Sequence, residues 1–160
     1  EYLRGYFGPY RLGLASVVVV LEAEDQGAHG PADEIAGLMS GLPNLRGRMV
    51  PQPLVAPEGR RVALVTTAHP RAGPHLAAAL EAEGAEQVTV VHGLGDRRRL
   101  REELEAASDA DLVLVEVKAA AVDVVLPWAE GRGKQVAFVH NRVVLDEGIE
   151  RLTGLVEQRW

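Results

Sequence analysis

Residues 110–116 (ADLVLVE) form an apolar run that ends in a carboxylate, and residues 61–66 (RVALVT) and 135–140 (QVAFVH) repeat the pattern. Continuous β-branched and aliphatic runs of this length are typical of strands buried on both faces of a parallel sheet. A fourth run occupies residues 87–92. Helical segments separate the runs, which predicts right-handed βαβ units and an α/β fold: a three-layer, Rossmann-like parallel sheet with helices on both faces.

The segments around these runs carry helix signals. Asp96 predicts an N-cap, Gly84 a C-cap, and Pro31 the first turn of a helix. A β-branched run at residues 15–21 predicts a further buried strand. We predict a loop at 1–13, a short strand at 48–50, and helices at 31–42, 73–83, 96–107, 119–131 and 146–158.

Three prolines, Pro51, Pro53 and Pro57, fall within seven residues. Proline lacks the N–H that a sheet needs, so this segment is predicted to be stiff, extended and unpaired. We therefore predict a linker at residues 51–59, with residues 1–50 before it and a Rossmann-like domain at residues 60–160 after it.

Composition restricts the kind of protein. The chain has 160 residues, 47% hydrophobic and 25% charged, with a net charge of −6 that disfavours a nucleic-acid partner. It contains no cysteine, so there is no disulfide or thiolate metal site. The longest apolar stretch is too short to span a membrane. We expect a soluble, cytoplasmic protein that, starting at Glu1 without methionine, is a piece of a longer polypeptide.

Ligands of open parallel sheets bind beyond the carboxyl ends of the strands. Thr66 and Thr67 end the 61–66 run, and their hydroxyls could bind a phosphate together with backbone N–H groups at a helix N-terminus. They could equally cap the following helix. After the 110–116 run, Glu116 and Lys118 precede a turn of small residues that a ligand can approach closely. Lysine is rare in this arginine-rich chain, which favours a ligand contact for Lys118.

For each of the further candidate residues, a functional role and a structural role are both possible. Asp123 holds a cation or orients the lysine, or is a solvated helical carboxylate. His140, followed by Asn141 and Arg142, serves acid–base chemistry or is structural. Glu22 and Glu24 are weak candidates for water-mediated magnesium binding, the alternative being a solvated acidic loop.

Several common motifs do not occur in the sequence. The histidines lack zinc-ligand spacing. There is no GxxxxGK loop followed by Ser or Thr, no GxGxxG after a strand and no GxSxG elbow. Motifs of this kind therefore assign no reaction to the chain.

A series of shorter motifs resembles the cyclic 2,3-diphosphoglycerate synthetase family. The matching segments are residues 6–15 (YFGPYRLGLA), the strand and acidic residues that follow, and residues 51–54 (PQPL), 65–68 (VTTA) and 117–124 (VKAAAVDV). They cover most of the chain in the family's order, and Lys-Ala-Ala-Ala-Val-Asp is the most specific string among them.

The resemblance implies an ATP-dependent ligase that closes an intramolecular phosphoanhydride in 2,3-diphosphoglycerate, or a related phosphorylated acid, and releases ADP and inorganic phosphate. It implies ATP and magnesium in the parent enzyme, held chiefly by a missing N-terminal P-loop domain. Residues 1–50 would then be the end of a nucleotide-binding core. The fragment, lacking that loop, is expected to be inactive alone and to need no cofactor for its fold.

On this reading Lys118 is the catalytic candidate, because it supplies positive charge to a multiply phosphorylated substrate. The substrate-binding candidates are Thr66, Thr67, Glu116, Asp123, Asn141, Arg142, His140, Tyr10 and Arg11. Two alternatives stay open: a non-catalytic Rossmann-like module that binds an anionic metabolite, and a structural dimerisation domain that forms a homodimer. Neither nucleic acid nor membrane is expected as a partner.

Overall fold

The computed structural model describes residues 8–21, 31–118 and 120–158. Its strands are β1 (Val18–Leu21), β2 (Asn44–Pro53), β3 (Arg61–Val65), β4 (Gln87–Val91), β5 (Leu112–Glu116) and β6 (Gln135–Leu145). Its α-helices are α1 (Gly8–Leu14), α2 (Pro31–Leu38), α3 (Gly73–Ala82), α4 (Arg97–Ala106), α5 (Leu126–Glu130) and α6 (Ile149–Glu157). None of the helices in these ranges is long and apolar enough to cross a bilayer.

The chain divides into two compact units. The core unit is Val50–Arg142, and the flanking unit combines Glu1–Met49 with Val143–Trp160. Strands β2 and β6 contribute residues to both. This division differs from the predicted one, in which residues 51–59 form a linker and the last helix belongs to the C-terminal domain. The assignment of residues 1–50 to a nucleotide-binding core stays a prediction.

The core unit confirms the α/β class. Strands β6, β5, β3 and β4 lie side by side in that order, and each neighbouring pair is parallel. Alternate residues of β3 face opposite sides: Val62 and Leu64 pack in the cluster that contains α3, whereas Val65 packs in the cluster that contains α4. The helical side chains that complete the two clusters include Leu76 and Leu80 on one side and Leu100, Leu104 and Val125 on the other.

The flanking unit has its own small core. Strand β1 pairs in parallel with β2 from Asn44 to Gly47, and the buried cluster is formed by Leu12, Val20, Ala32, Ile35 and Leu42. The prediction of a loop over residues 1–13 is wrong for residues 8–13, which lie in α1. Burial of Leu12 explains the helix, since tertiary packing stabilises short helices more than local propensity does.

A wholly parallel sheet was predicted, but strand β2 shows that the sheet is mixed. Asp146 N–H donates to the carbonyl of Arg46 and Leu54 N–H donates to that of Phe138, so β2 and β6 run in opposite directions. The strand also continues through Pro51 and Pro53, which were expected to be unpaired. Both prolines lie beyond the part of β2 that pairs with β1, where a missing N–H is tolerated.

The helix after β5 begins as a π-helical turn, Ala121–Val125, and continues as α5. Pro127, which the sequence suggested would break or delay the helix, is the second residue of α5, and α5 directly follows the π-helical turn. The predicted caps are confirmed: the Asp96 carboxylate accepts from Arg98 N–H at 2.9 Å, and Gly84 has a φ of 95°. Strand β6 extends beyond the predicted residue 140, so His140, Asn141 and Arg142 lie within it.

Gly93 allows α4 to pack against the end of β4. A Cβ added to Gly93 would lie 2.7 Å from the backbone nitrogen of Leu100 and 2.8 Å from its Cα. These are backbone atoms of a helix whose Leu100 is fully buried, so they cannot move aside cheaply. A side chain at residue 93 is therefore expected to separate α4 from the sheet.

We predict that Gly93→Ala lowers the free energy of unfolding by about 1–3 kcal/mol, the usual cost of overpacking. Gly95→Ala is the matched control, since a Cβ there meets nothing within 4 Å, and its effect should stay within about 0.5 kcal/mol. Urea denaturation followed by circular dichroism measures both. Equal stability of the two variants would contradict the packing argument.

Candidate functional site

Glu116 is the last residue of β5 and the centre of the candidate site. The strand is buried along its whole length, and Glu116 is only 8% exposed. A carboxylate in such a position is costly unless hydrogen-bond donors surround it. Its partners therefore decide what the site can do.

Four donors converge on the Glu116 carboxylate. The Thr66 hydroxyl and the Asn141 side-chain amide both donate to Oε1 at 2.7 Å. The Thr67 N–H and the Thr67 hydroxyl both donate to Oε2 at 2.9 Å. Four bonds match the acceptor capacity of an ionised carboxylate. We call Thr66, Thr67, Glu116 and Asn141 the Glu116 network; it joins the carboxyl ends of β3 and β5 to β6.

The hydrogen bonds keep Glu116 ionised. Burial, the largest single influence, raises its pKa, but the bonds from Thr66, the Thr67 backbone, Asn141 and the Thr67 hydroxyl together outweigh burial, so that the net pKa is lowered from 4.5. A carboxylate whose ionised form accepts several hydrogen bonds follows this pattern. The group is therefore an anion at neutral pH, and it is not a proton donor.

The turn after β3 is held from the β4 side as well. Thr66 Oγ1 accepts a hydrogen bond from Ala68 N–H at 3.0 Å, and the Ala68 carbonyl lies 2.9 Å from His92 Nδ1. A carbonyl only accepts, so Nδ1 carries the proton. The threonines do not cap α3: the short helix that precedes it, Pro70–Ala72, has His69 as its N-cap. The capping alternative for Thr66 and Thr67 is therefore wrong.

A second carboxylate of the chain binds the backbone N–H groups that follow β4. Glu103 of α4 accepts from the backbone N–H groups of His92 at 2.7 Å and Gly93 at 2.8 Å, and Arg99 donates to its other oxygen. Burial, the largest single influence, raises the pKa of Glu103. The hydrogen bonds from Arg99 and from the two backbone N–H groups together outweigh burial, so the net pKa is lowered. Backbone donors at the ends of both β3 and β4 are thus bonded to the chain's own carboxylates.

Lys118 lies two residues beyond the network and is exposed. Its side chain makes no ion pair or hydrogen bond with any residue that the structure describes. The same holds for Arg142 and His140, both exposed on β6. The structure thus brings Thr66, Thr67, Glu116 and Asn141 together and leaves these three side chains open to solvent. Their roles as ligand contacts stay predictions.

Asp123 forms an ion pair that the sequence reading did not include. Arg97, in the first turn of α4, donates to its Oδ2 through Nη2 at 2.7 Å and Nε at 2.9 Å. Both side chains are about half exposed, so the pair contributes at most about 1 kcal/mol. Arg97 is the first residue of α4, the helix that follows β4. This position was the available signal, because all carboxyl ends of a parallel sheet meet at one edge.

The roles of the remaining candidates stay predictions. Tyr10 and Arg11 lie on α1, in the flanking unit, and Tyr10 is 66% exposed. Glu22 and Glu24 fall outside the described residues. Within the described residues, no three carboxylate or imidazole side chains gather as a metal-binding group.

We predict that Glu116→Gln lowers the free energy of unfolding by about 2–3 kcal/mol at pH 7, because an amide cannot accept all four bonds. Since the folded-state pKa of Glu116 lies below its unfolded value, its stabilisation is present above the unfolded pKa and lost as pH falls through the folded pKa. The variant should lack this acid-dependent component. Denaturation between pH 7 and pH 2 measures it.

Glu102→Gln, an exposed carboxylate on α4, is the matched control and should change stability by less than about 0.5 kcal/mol. If the two variants have the same stability and pH profile, the Glu116 network does not hold the strand ends together.

Comparison with known proteins identifies the family. Residues 53–142 match the model of the cyclic 2,3-diphosphoglycerate synthetase C-terminal domain, which is nearly the whole core unit. Proteins named cyclic 2,3-diphosphoglycerate synthetase are similar along most of the chain. The one from Thermococcus kodakarensis is 36% identical over 98% of this chain and 37% of its own length.

Two further relatives with the same name agree. The protein from Rubrobacter xylanophilus is 36% identical over 94% of this chain and 35% of its own length. The protein from Methanothermobacter thermautotrophicus is 33% identical over 92% of this chain and 33% of its own length. The chain therefore spans about a third of the length of these relatives. It belongs to the cyclic 2,3-diphosphoglycerate synthetase family and matches the C-terminal domain of that family.

Proposed function

We propose that this chain is the C-terminal part of an ATP-dependent ligase that forms an intramolecular phosphoanhydride in 2,3-diphosphoglycerate or a related phosphorylated acid. Its family membership supports the reaction class. The observation that supports the proposal for this chain is the position of Lys118. Its exposed ammonium bonds to no residue within the described ranges, and it lies two residues beyond a strand end that the Glu116 network fixes.

The contrast between the two lysines supports a ligand role for Lys118. Lys134 donates to the backbone carbonyls of Ser108 and Ala110 at 2.6 Å each, and its ammonium lies 5.7 Å from the centre of the Trp128 ring. Lys134 therefore has a structural task. Lys118 has no such bonds within the described residues, so its ammonium is available to an anion from solution.

The chemistry requires cations of this kind. Joining two phosphates of one molecule brings negative charges to within about 4 Å, where each pair of unit charges repels by about 4 kcal/mol near a protein surface. Lys118 follows Glu116, the last residue of β5, by two positions, and Arg142 follows Asn141 on the neighbouring strand β6. In the proposal they neutralise the two phosphates and hold them close together. One phosphate would attack the other after ATP has phosphorylated it in the complete enzyme, and inorganic phosphate would be the leaving group.

The Glu116 network has a positioning role in this proposal. Its hydroxyl and amide donors are bonded to Glu116 and are not open to a phosphate. They fix the backbone of β5 where Lys118 begins. We therefore assign direct ligand contact to Lys118, Arg142 and His140, and assign Thr66, Thr67, Glu116 and Asn141 to holding the site.

The described residues offer no group of three carboxylate or imidazole side chains that could hold magnesium, and the oxygens of Glu116 and Glu103 already accept hydrogen bonds from protein donors. In the proposal, magnesium and ATP are bound by other parts of the longer parent enzyme. A cytoplasmic location and a homodimer also stay predictions.

We predict that 2,3-diphosphoglycerate protects Lys118 from acetylation and leaves Lys134 unchanged. At a ligand concentration ten times Kd, the labelling rate of Lys118 should fall about tenfold, because the uncovered fraction is about one in eleven. Peptide mass spectrometry after brief treatment with acetic anhydride measures both lysines in one sample, so Lys134 is an internal control. If Lys118 is labelled equally with and without ligand, the proposed contact between Lys118 and the ligand is refuted.

Lys118→Ala tests the reaction itself in the complete polypeptide. With ATP and 2,3-diphosphoglycerate, wild type should give the ³¹P NMR signal of a cyclic phosphoanhydride, and the variant should give none while its circular dichroism is unchanged. Wild-type turnover in the variant would refute the catalytic assignment. Protection of Lys118 without any anhydride product from wild type would indicate a metabolite-binding module instead.

A further inference from the structure

One face of the sheet is left bare at β6, an internal strand that lies between β5 and β2. Val115 of β5 and Phe138 of β6 are partners in the parallel register, so their side chains share this face. Val115 is fully buried in the cluster that contains α4, whereas Phe138 is 36% exposed. The helical layer that covers β5 therefore ends before it covers the whole of β6.

The bare face continues onto β2. Leu54 N–H donates to the Phe138 carbonyl at 3.1 Å, so the two residues lie opposite each other, and Leu54 is 61% exposed. Because side chains alternate along a strand, Gln52 shares the face of Leu54, and His140 and Arg142 share the face of Phe138. We call Gln52, Leu54, Phe138, His140 and Arg142 the open face; all five are exposed.

The opposite face of the same strands is covered. Val139 is buried in the cluster that contains α3, Ala137 packs against that cluster, and Pro51 of β2 is buried as well. Sheets built from parallel strands in α/β proteins normally have both faces covered. An internal strand that exposes a phenylalanine beside an exposed leucine therefore indicates a surface that another part of a protein covers.

The composition of the open face argues against a second copy of this chain as that cover. None of its five side chains is acidic, and Arg142 gives it a positive charge. In a symmetric dimer the same surface patch meets itself. Two open faces would bring like charges together with no carboxylate to pair them, which opposes association. Phenylalanine and arginine are nevertheless typical of protein interfaces, so a different surface fits better.

The relatives contain a large region that could supply such a surface. The chain spans 37% and 35% of the length of two of them, and the family model that it matches is that of a C-terminal domain. Most of each relative therefore lies before the matched part. In the proposed function this upstream part binds ATP, while Lys118 and Arg142 bind the phosphates. The reaction needs the two parts to meet beside these cations, and the open face contains Arg142.

We propose that the open face is the docking surface for the upstream part of the same polypeptide. Phe138 and Leu54 supply its apolar contact, and the upstream part then lies next to His140 and Arg142. This inference rests on the proposed function for the existence of an upstream ATP-binding part. It adds the surface by which that part meets this chain, and it makes the phosphate site complete only when the two are docked.

Thiol labelling of the complete polypeptide tests the proposal, since this chain contains no cysteine. Gln52→Cys places a thiol on the open face, and Glu102→Cys, exposed on α4, is the matched control. Peptide mass spectrometry measures the rate of reaction of each thiol with N-ethylmaleimide, divided by the rate for the same variant unfolded in urea. The normalised rate of Gln52→Cys should be about tenfold or more below that of Glu102→Cys, because a covered thiol reacts only when the interface opens.

A second substitution separates docking from any local effect at residue 52. Adding Leu54→Asp to Gln52→Cys should bring its normalised rate to within about threefold of the control, because an unpaired carboxylate is costly in an apolar interface. Circular dichroism checks that each variant is folded. Equal normalised rates for Gln52→Cys and Glu102→Cys would overturn the proposal. Protection found in dimers but not in monomers separated by size exclusion would assign the face to a second copy and overturn it too.

The labelling uses no substrate, so its result is independent of the reaction. If Gln52→Cys is protected in a polypeptide that forms no cyclic phosphoanhydride, the docking surface stands and the proposed function fails. If the polypeptide forms the anhydride while Gln52→Cys is unprotected, the proposed function stands and the docking surface is refuted.

Discussion

The carboxylate of Glu116 is the constraint on which the site depends. It lies at the end of a fully buried strand, and it stays ionised there because donors from β3 and β6 fill its acceptor positions. One side chain thereby joins the carboxyl ends of β3 and β5 to β6 within the core unit. The backbone that leads to Lys118 and the strand that carries Arg142 are both held by this arrangement.

The carboxylates of Glu116 and Glu103 occupy backbone N–H groups at the strand ends, and in the proposal the anionic ligand therefore contacts side chains instead. Glu116 occupies the Thr67 N–H, and Glu103 occupies the N–H groups of His92 and Gly93. Donors that bind phosphate in many α/β proteins are thus engaged within the fold. The exposed side chains of Lys118 and Arg142 bond to no residue that the structure describes, and in the proposal they bind the anion.

The sequence predicted the repeating part of the fold well, because continuous apolar runs and capping residues are local signals. Asp96 and Gly84 could be identified as caps without a structure. The course of β2 and the antiparallel pairing with β6 could not, since Pro51 and Pro53 indicate an unpaired segment unless the extent of the β1 pairing is known. The helix at Gly8–Leu14 was missed because burial of Leu12 stabilises it, and burial is not a local property.

The sequence predicted which residues belong to the site but not how they are hydrogen-bonded to one another. Thr66, Thr67, Glu116 and Asn141 were all candidates because they end buried strands. The sequence could not show that Glu116 is the acceptor for the other three, since this depends on strand order. Glu103 was missed because it lies in the middle of α4, and the sequence alone does not show which carboxylate of a helix reaches the end of a strand.

The most direct test is an NMR titration of the ¹⁵N-labelled chain with 2,3-diphosphoglycerate, following the Thr67 amide and the side-chain ammonium of Lys118 together. If Glu116 holds the strand ends and the cations bind the ligand, the Lys118 signal shifts with saturation while the Thr67 amide keeps its position. A large shift of the Thr67 amide with an unchanged Lys118 signal would show that phosphate displaces Glu116 and would contradict the account.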